Sequence, residues 1–286
     1  MDLCRRSVVI AAFFLLIASI AESPSTVSNA AEGPQQLSSA VQRELVPTGR
    51  LRVGINIGNA LLATKDVAGT TSGIAVDLAK ELSRRLNVAM DIVSYESAGQ
   101  MADAANKGGW DVAFLGTDPA RGNEILFSTP YLEIESTYLV PANSPLRTIA
   151  DVDRDGVRIA VSDKSAYDLF LTRTIKQARL IRAPGVNPSV DLFFQQSLEA
   201  LAGLRPLLVE VAQKHAGTRV MDGRFTVVEQ AIGTPQRRVE GAKYLSEFVE
   251  DVKASGVVAR VIGQNGIRGV SVAPLRRNYC DSVTSR

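Results

Sequence analysis

The sequence predicts an α/β protein made of two lobes. Between residues 51 and 115, short strands alternate with helices, which is typical of a mostly parallel sheet with helices on both faces. The same alternation begins again at Arg158, after a strand that Pro141 closes. The last helices belong to neither unit alone, so we expect the first lobe to be discontinuous in sequence.

The first unit opens with a strand over residues 51–57, which Gly58 ends. A helix with one apolar face follows, and its apolar positions are Ile74, Leu78, Leu82 and Leu86. The pattern then predicts a strand over 88–95, a helix that Ser97 opens, and a buried strand over 111–115.

The second unit repeats this order. Predicted strands cover residues 158–161, 179–182, 199–203 and 218–221, and predicted helices cover 166–177, 189–196 and 206–215. Two further helices, over 239–255 and 257–263, end the pattern. We expect strands near residues 138–140 and 229–232 to be the two crossings between the lobes.

The N-terminus has the composition of a secretory signal. Arg5 and Arg6 precede an apolar run over residues 8–20, which is too short for a comfortable membrane span. Small residues allow cleavage after Ala21 or after Ala30, and an uncleaved anchor is the alternative interpretation. We predict a signal peptide over residues 1–30, a disordered lead over 31–49 and a flexible tail over 276–286.

Composition excludes several function classes. At 286 residues the chain is long enough for two lobes of about 100–120 residues. A formal net charge of +2 without a long basic run argues against a nucleic-acid partner. Cys4 lies in the signal and Cys280 in the tail, so no disulfide or redox pair is expected. His215 is the only histidine, and we predict neither a metal site nor a cofactor.

One stretch, residues 110–131, organises the candidate site. Its buried strand ends at Gly116, and Thr117-Asp118-Pro119 is a turn that suits the start of a short helix. Arg121 therefore lies in the first turn after the carboxyl end of a strand, where open α/β sheets bind ligands. Backbone donors beside one guanidinium suit a carboxylate or another small oxyanion. An arginine on an ordinary surface loop is the alternative.

Three motifs resemble, in order and spacing, the amino-acid-type extracytoplasmic solute-binding proteins that supply ABC importers. They are GIAVDLA at residues 73–79, DPAR at 118–121 and FSTPY at 127–131, where that family has GFDVDLA, TPER and FSDPY. The resemblance runs from about Leu51 to about Pro274 and weakens after Tyr167. It implies the type II periplasmic-binding-protein fold, in which a two-strand hinge joins the lobes. Lobe 1 would comprise residues 50–140 and 233–275, and lobe 2 residues 141–232.

The resemblance also implies roles for residues of lobe 1. Arg121 would hold the α-carboxylate of the ligand, and Gly116 and Thr117 would add amide and hydroxyl donors. Asp118 stands where the family usually has threonine, so it is either a helix cap or a contact for a cationic group of the ligand.

In lobe 2, the turn that contains Lys164, Ser165 and Ala166 joins a strand to a helix, so its amides and the Ser165 hydroxyl would form an anion-binding nest. By the resemblance, this turn meets the same carboxylate from the far side. Tyr167 belongs either to the cleft or to the core.

Besides Asp118, two positions depart from the family pattern. Asn59 stands where a stacking aromatic is usual, and Gly203-Leu204 replaces a Gly-Asp whose aspartate takes the α-ammonium of the ligand. A buried ammonium without a carboxylate is costly, so the ligand need not be a standard α-amino acid, although Asp118 or Glu133 is an alternative partner. Arg205 is either a contact for a second anionic group or a solvated arginine.

The resemblance implies the periplasmic substrate-binding component of an ABC transporter. As a monomer, it would capture a small carboxylate-bearing metabolite, an amino acid or a related organic acid, and present it to a permease in the inner membrane. Two alternatives remain open. One is an enzyme similar to cyclohexadienyl dehydratase, with Asp118, Glu133 and Glu135 as acid–base candidates, and the other is a ligand sensor for a membrane receptor.

Overall fold

The computed structural model describes residues 37–276, in which helices and strands alternate largely as predicted. The signal peptide predicted over residues 1–30 and Cys280 lie outside the described residues. The eight α-helices of the described part are α1 (Ser39–Leu45), α2 (Ile74–Leu86), α3 (Ala98–Asp103), α4 (Ala166–Thr174), α5 (Val186–Gln195), α6 (Arg205–Lys214), α7 (Val239–Ala254) and α8 (Val257–Gln264).

The strands of residues 37–276 include four that the sequence pattern did not predict, because they are too short to show alternation. These are β2 (Thr64–Lys65) and β3 (Thr71–Ser72), which pair as a small hairpin, β6 (Ile125–Phe127) and β13 (Val270–Val272). The strands are β1 (Leu51–Asn56), β2 (Thr64–Lys65), β3 (Thr71–Ser72), β4 (Met90–Tyr95), β5 (Val112–Gly116), β6 (Ile125–Phe127), β7 (Leu132–Pro141), β8 (Arg158–Ser162), β9 (Arg179–Ala183), β10 (Ala200–Leu204), β11 (Thr218–Val220), β12 (Thr226–Pro235) and β13 (Val270–Val272). None of the helices described is both long and apolar enough to cross a bilayer.

One mixed sheet runs in the order β4-β1-β5-β12-β7-β10-β8-β9. On one side, β1 lies parallel to both β4 and β5, and we call these three strands the first half-sheet. On the other side, β8 lies parallel to both β9 and β10, and these three form the second half-sheet. The predicted parallel pairings therefore occur in two separate groups.

Two long antiparallel strands, β7 and β12, join the half-sheets. They pair with each other from Leu132 opposite Gln230 to Ser136 opposite Thr226. Beyond this segment β12 continues along β5, whereas β7 continues along β10. Residues 138–140, predicted as one crossing between the lobes, lie on the part of β7 that pairs with β10 and β11. The strand begins earlier than predicted, at Leu132, and the alternation of Leu132, Glu133, Ile134 and Glu135 is a strand signal that the prediction missed. Hinge bending at these strands stays a prediction.

The buried face of α2 is the one that its spacing predicts, with Ile74, Leu78, Leu82 and Leu86 at most 2% exposed. These side chains belong to an apolar cluster that also contains Leu132 of β7 and residues of the second half-sheet. The two half-sheets are therefore connected by a common apolar core as well as by the backbone hydrogen bonds of β7 and β12.

The lead predicted as disordered over residues 31–49 contains a helix, so that prediction is wrong for Ser39–Leu45. Ser38 caps α1, because its side-chain oxygen accepts a hydrogen bond from the Val41 amide. Val41 and Leu45, four residues apart, are buried, and the Glu44 carboxylate accepts a hydrogen bond from the Gly241 amide of α7 at 2.7 Å. The segment is ordered by packing on α7, which a stretch of seven residues does not reveal in the sequence.

We expect Leu45→Ala to lower the free energy of unfolding by about 3 kcal/mol, because it removes a fully buried side chain from the contact between α1 and α7. Urea unfolding followed by circular dichroism measures the loss. Gln42→Ala on the exposed side of the same helix is the control, with an expected change below about 0.5 kcal/mol. Equal effects of the two substitutions would show that α1 does not pack on α7.

Candidate functional site

A cavity lies between the half-sheets, beside the carboxyl ends of their parallel strands. It encloses about 630 Å³ of atom-free space, open solvent at its mouth included. Its polar and charged lining residues are Asn56, Asn59, Glu96, Ser97, Arg121, Ser162, Ser165, Tyr167 and Gln230. Its apolar lining comes mainly from Leu62, Met101, Phe114, Leu115, Val186, Leu204 and Val228.

Six of the ten residues predicted for the site line this cavity, and four do not. Those that line it are Asn59, Gly116, Arg121, Ser165, Ala166 and Tyr167. Those outside the lining are Thr117, Asp118, Lys164 and Arg205.

Arg121 is the only basic residue of the lining within residues 37–276, and it is 5% exposed. A one-turn 3₁₀ helix, Pro119–Arg121, positions it directly after β5. Its Nη1 donates to the Gly116 carbonyl, and its Nη2 donates to the Lys164 carbonyl of the other half at 2.7 Å. No carboxylate in the described part of the chain lies within ion-pair distance of this guanidinium.

Burial lowers the pKa of Arg121 to about 10, against the opposing effects of the Asp118 and Asp103 charges. The guanidinium therefore stays protonated at neutral pH. A guanidinium has five N–H donors, and the two bonds to carbonyls use two of them. The remaining N–H donors of the Arg121 guanidinium suit the two oxygens of a carboxylate.

Of the two roles predicted for Asp118, the structure shows the helix cap. The Asp118 carboxylate accepts a hydrogen bond from the Ala120 amide at 2.9 Å. The same carboxylate forms an ion pair with Arg173 of α4 at 2.8 Å. The carboxylate is therefore paired within the protein and lies outside the cavity lining, and its contact with a cationic ligand group stays a prediction.

The turn before α4 differs from the predicted anion nest. Lys164 has a positive φ of 52°, a conformation that favours glycine, and its amide donates to Asp168. Its side chain forms an ion pair with Asp103 of α3 at 2.8 Å. The Ser165 amide donates to Ser162, and the Ser165 hydroxyl caps α4 by accepting from the Asp168 amide. These two amides are therefore already bonded within the protein, which leaves Lys164 to contribute its carbonyl to Arg121.

Tyr167 belongs to the core and also to the cleft, the two locations predicted as alternatives. It is buried in the apolar core and lines the cavity. Burial raises its pKa to about 12, so the phenol is neutral at physiological pH.

Arg205 lies outside the cavity lining, and its contact with a second anionic group stays a prediction. It forms an ion pair with Glu135 at 2.8 Å and donates to the carbonyls of Met221 and Gly223. The Arg205 and Arg224 guanidiniums hold the pKa of the Glu135 carboxyl below its usual range.

The remaining predicted groups also lie outside the lining. Thr117 donates through its amide to the Glu229 carbonyl and through its hydroxyl to the Glu229 carboxylate. Glu133 lies on β7 opposite Glu229 of β12 and Ser271 of β13. None of the three acid–base candidates, Asp118, Glu133 and Glu135, therefore faces the cavity.

Sequence reasoning missed several lining residues. Asn56, Glu96 and Ser162 end or directly follow β1, β4 and β8, so the rule that ligands bind at the carboxyl ends of parallel strands would have found them. Gln230 lies inside β12, where no motif marks it.

Gly116 is tightly packed beside Arg121. A Cβ atom added to Gly116 would lie 2.9 Å from Val228 Cγ1 and 3.0 Å from Ala166 Cβ. Real Cβ atoms are essentially not found at the shorter distance, so a side chain here would force Val228 or Ala166 to shift.

The sequence profile of the bacterial extracellular solute-binding proteins, family 3, matches residues 51–264 of the chain. This range includes β1 through α8, and with them every residue that lines the cavity.

Solved structures with a similar fold are amino-acid-binding proteins. A mutant of ArgBP from T. maritima is 20% identical, with a TM-score of 0.67, over 79% of this chain and 98% of that one. The solute receptor for L-cysteine of Neisseria gonorrhoeae is 18% identical, with a TM-score of 0.69, and the match covers 80% of this chain and 95% of that one. The ancestral amino acid-binding protein AncCDT-1, a precursor of cyclohexadienyl dehydratase, is 19% identical, with a TM-score of 0.66, over 77% and 96%. The fold is therefore that of the type II periplasmic binding proteins.

We expect Gly116→Ala to lower the free energy of unfolding by about 1–3 kcal/mol, because the added methyl group clashes with Val228 and Ala166. Gly263→Ala in α8 is the control, since nothing lies within 4 Å of the added atom and alanine favours the helix. Urea unfolding compares the two variants. A stability gain in both would contradict the close approach at Gly116.

Proposed function

The chain belongs to the bacterial extracellular solute-binding proteins of family 3, and from this we propose that it binds a small carboxylate-bearing metabolite beside Arg121. In this proposal the ligand is an amino acid or a related organic acid. The protein acts in the periplasm, after export by the signal peptide predicted over residues 1–30, and delivers the ligand to the membrane permease of an ABC transporter.

One observation carries the proposal: Arg121 is a buried cation with no carboxylate partner in the described part of the chain. Burial of an unpaired charge costs several kcal/mol, and backbone carbonyls compensate for only part of this cost. A ligand carboxylate would complete the pairing, and the planar guanidinium suits the two oxygens of a carboxylate better than an ammonium does.

The rest of the lining supports a small organic acid. Apolar side chains such as Leu62, Phe114 and Val228 supply walls for the body of the ligand, while a few polar groups converge beside Arg121. Asn59 and Leu204, the positions that depart from the family pattern, both line the cavity, so these departures bear directly on the ligand.

Contacts between the halves support closure of the cavity around its ligand. Arg121 donates to the Lys164 carbonyl, Lys164 pairs with Asp103, and Arg173 pairs with Asp118. Each contact joins an element beside the first half-sheet to one beside the second. In this proposal β7 and β12 act as the hinge.

Binding without turnover is favoured over catalysis. The carboxylates considered for acid–base chemistry lie outside the lining, and the Tyr167 phenol, with its pKa raised to about 12, is a poor proton donor at neutral pH.

A thermal-shift screen with amino acids, keto acids, dicarboxylates and aromatic acids identifies ligands by the rise in Tm. Recovery of the bound acid unchanged would support binding, and its consumption would indicate an enzyme.

We expect Arg121→Ala to weaken binding of the best acid in that screen by about 100-fold or more, because the carboxylate loses its charged partner. Arg121→Lys should also bind weakly, since lysine lacks the planar pair of donors. Arg205→Ala, which removes an arginine outside the lining, is the control and should leave the affinity unchanged. Titration calorimetry measures all three variants. Wild-type affinity in Arg121→Ala would remove the basis of the proposal.

We expect the affinity for this acid to be constant from pH 6 to pH 9 and to fall above about pH 10. The carboxylate binds the protonated guanidinium, so the affinity is lost as the pH rises through the Arg121 pKa of about 10. Titration calorimetry across this range, with circular dichroism to establish that the protein stays folded, measures the profile. A binding transition between pH 6 and pH 8 would contradict a site that depends on arginine.

A further inference from the structure

Gln230 carries an unpartnered acceptor in a side chain that lines the cavity. It lies in β12, is 4% exposed and lines the cavity, yet no described residue donates a hydrogen bond to its buried side-chain oxygen. A buried acceptor without a donor costs about 1–3 kcal/mol. This side chain therefore points to a ligand that brings a donor of its own.

Gln230 and Arg121 flank the same residue. Arg121 donates to the carbonyl of Gly116, and Gln230 is the strand partner of Gly116. A Cβ on Gly116 would lie 3.5 Å from the Gln230 side-chain nitrogen. A carboxylate bound by Arg121 thus brings the substituents of its neighbouring carbon close to the Gln230 amide.

The Gln230 side-chain oxygen belongs to a neutral amide, so it suits an uncharged hydrogen-bond donor better than a charged one. Where the family pattern has an aspartate for the ligand ammonium, Leu204 lines the cavity instead. Glu96 is the only acidic lining residue within residues 37–276, and it is exposed. A neutral amide oxygen compensates a hydroxyl donor well, whereas an ammonium also needs a counter-charge when it is buried.

We propose that Gln230 is a specificity-determining residue that accepts a hydrogen bond from a hydroxyl group on the carbon next to the ligand carboxylate. The protein then prefers 2-hydroxy acids to α-amino acids with the same side chain. This inference rests on the proposed function, because Arg121 must hold the carboxylate.

The test uses matched acids that differ only at the carbon next to the carboxylate. For an isobutyl side chain they are L-2-hydroxy-4-methylpentanoate, L-leucine and 4-methylpentanoate. For a methyl side chain they are L-lactate, L-alanine and propanoate, and for a benzyl side chain L-3-phenyllactate, L-phenylalanine and 3-phenylpropanoate. Titration calorimetry gives the Kd of each acid for the wild-type protein and its variants.

In the series that binds best, we expect the hydroxy acid to bind about tenfold more tightly than both of its relatives, as one hydrogen bond to a buried group implies. Gln230→Leu should abolish this advantage over the unsubstituted acid. Gln230→Glu, which keeps the shape of the side chain and adds a charge, should move the preference to the amino acid. Arg205→Ala, which changes a residue outside the cavity lining, is the control and should leave the advantage of the hydroxy acid unchanged.

Two results would overturn the inference while leaving the proposed function intact. One is a hydroxy-acid advantage that survives in both Gln230 variants. The other is a wild-type preference for the amino acid that Glu96→Gln removes, since Glu96 would then be the residue that selects the ligand. If no acid binds, or if binding does not need Arg121, the proposed function fails and this inference fails with it.

Discussion

The site depends on a positive charge buried between two halves of one sheet. Arg121 is held there by the carbonyls of Gly116 and Lys164, one from each half. Local features on both sides position these groups. The Asp118 cap begins the short 3₁₀ helix that carries Arg121. On the other side, Lys164, whose carbonyl accepts from Arg121, lies in a turn where its φ is positive. A ligand carboxylate would complete an arrangement that the protein has already built around the guanidinium.

The long strands β7 and β12 connect this local chemistry to the whole fold. Each pairs with the other in the middle of the sheet and with a different half beyond it. Gln230 lies where β12 meets both β7 and β5, and two residues of the crossing segment, Val228 and Gln230, line the cavity. The same segment would carry any hinge motion and also contribute to recognition of the ligand.

The sequence predicted most helices and strands, because periodicity and capping are local signals that packing preserves. It also placed Arg121 at the end of β5, since the turn chemistry of residues 116–121 is local. The ion-pair partners of long side chains were not predictable from the sequence. Arg205 and Lys164 were assigned to the ligand, but each finds a carboxylate, Glu135 or Asp103, that is far away in sequence. Gln230 was missed for a similar reason, because its role follows from strand register rather than from spacing.

The ion pairs between the halves have a consequence for the energetics of recognition. If the proposed hinge opens the cavity, it must separate Lys164 from Asp103 and Arg173 from Asp118. The first pair is half-exposed, and dissolved salt screens exposed charges over about 8 Å at physiological ionic strength. The balance between open and closed forms would then depend on the salt concentration even for an uncharged ligand, because a weaker closed state lowers the apparent affinity for anything bound within it. Dissolved salt would act on such a hinge as a second, unspecific effector.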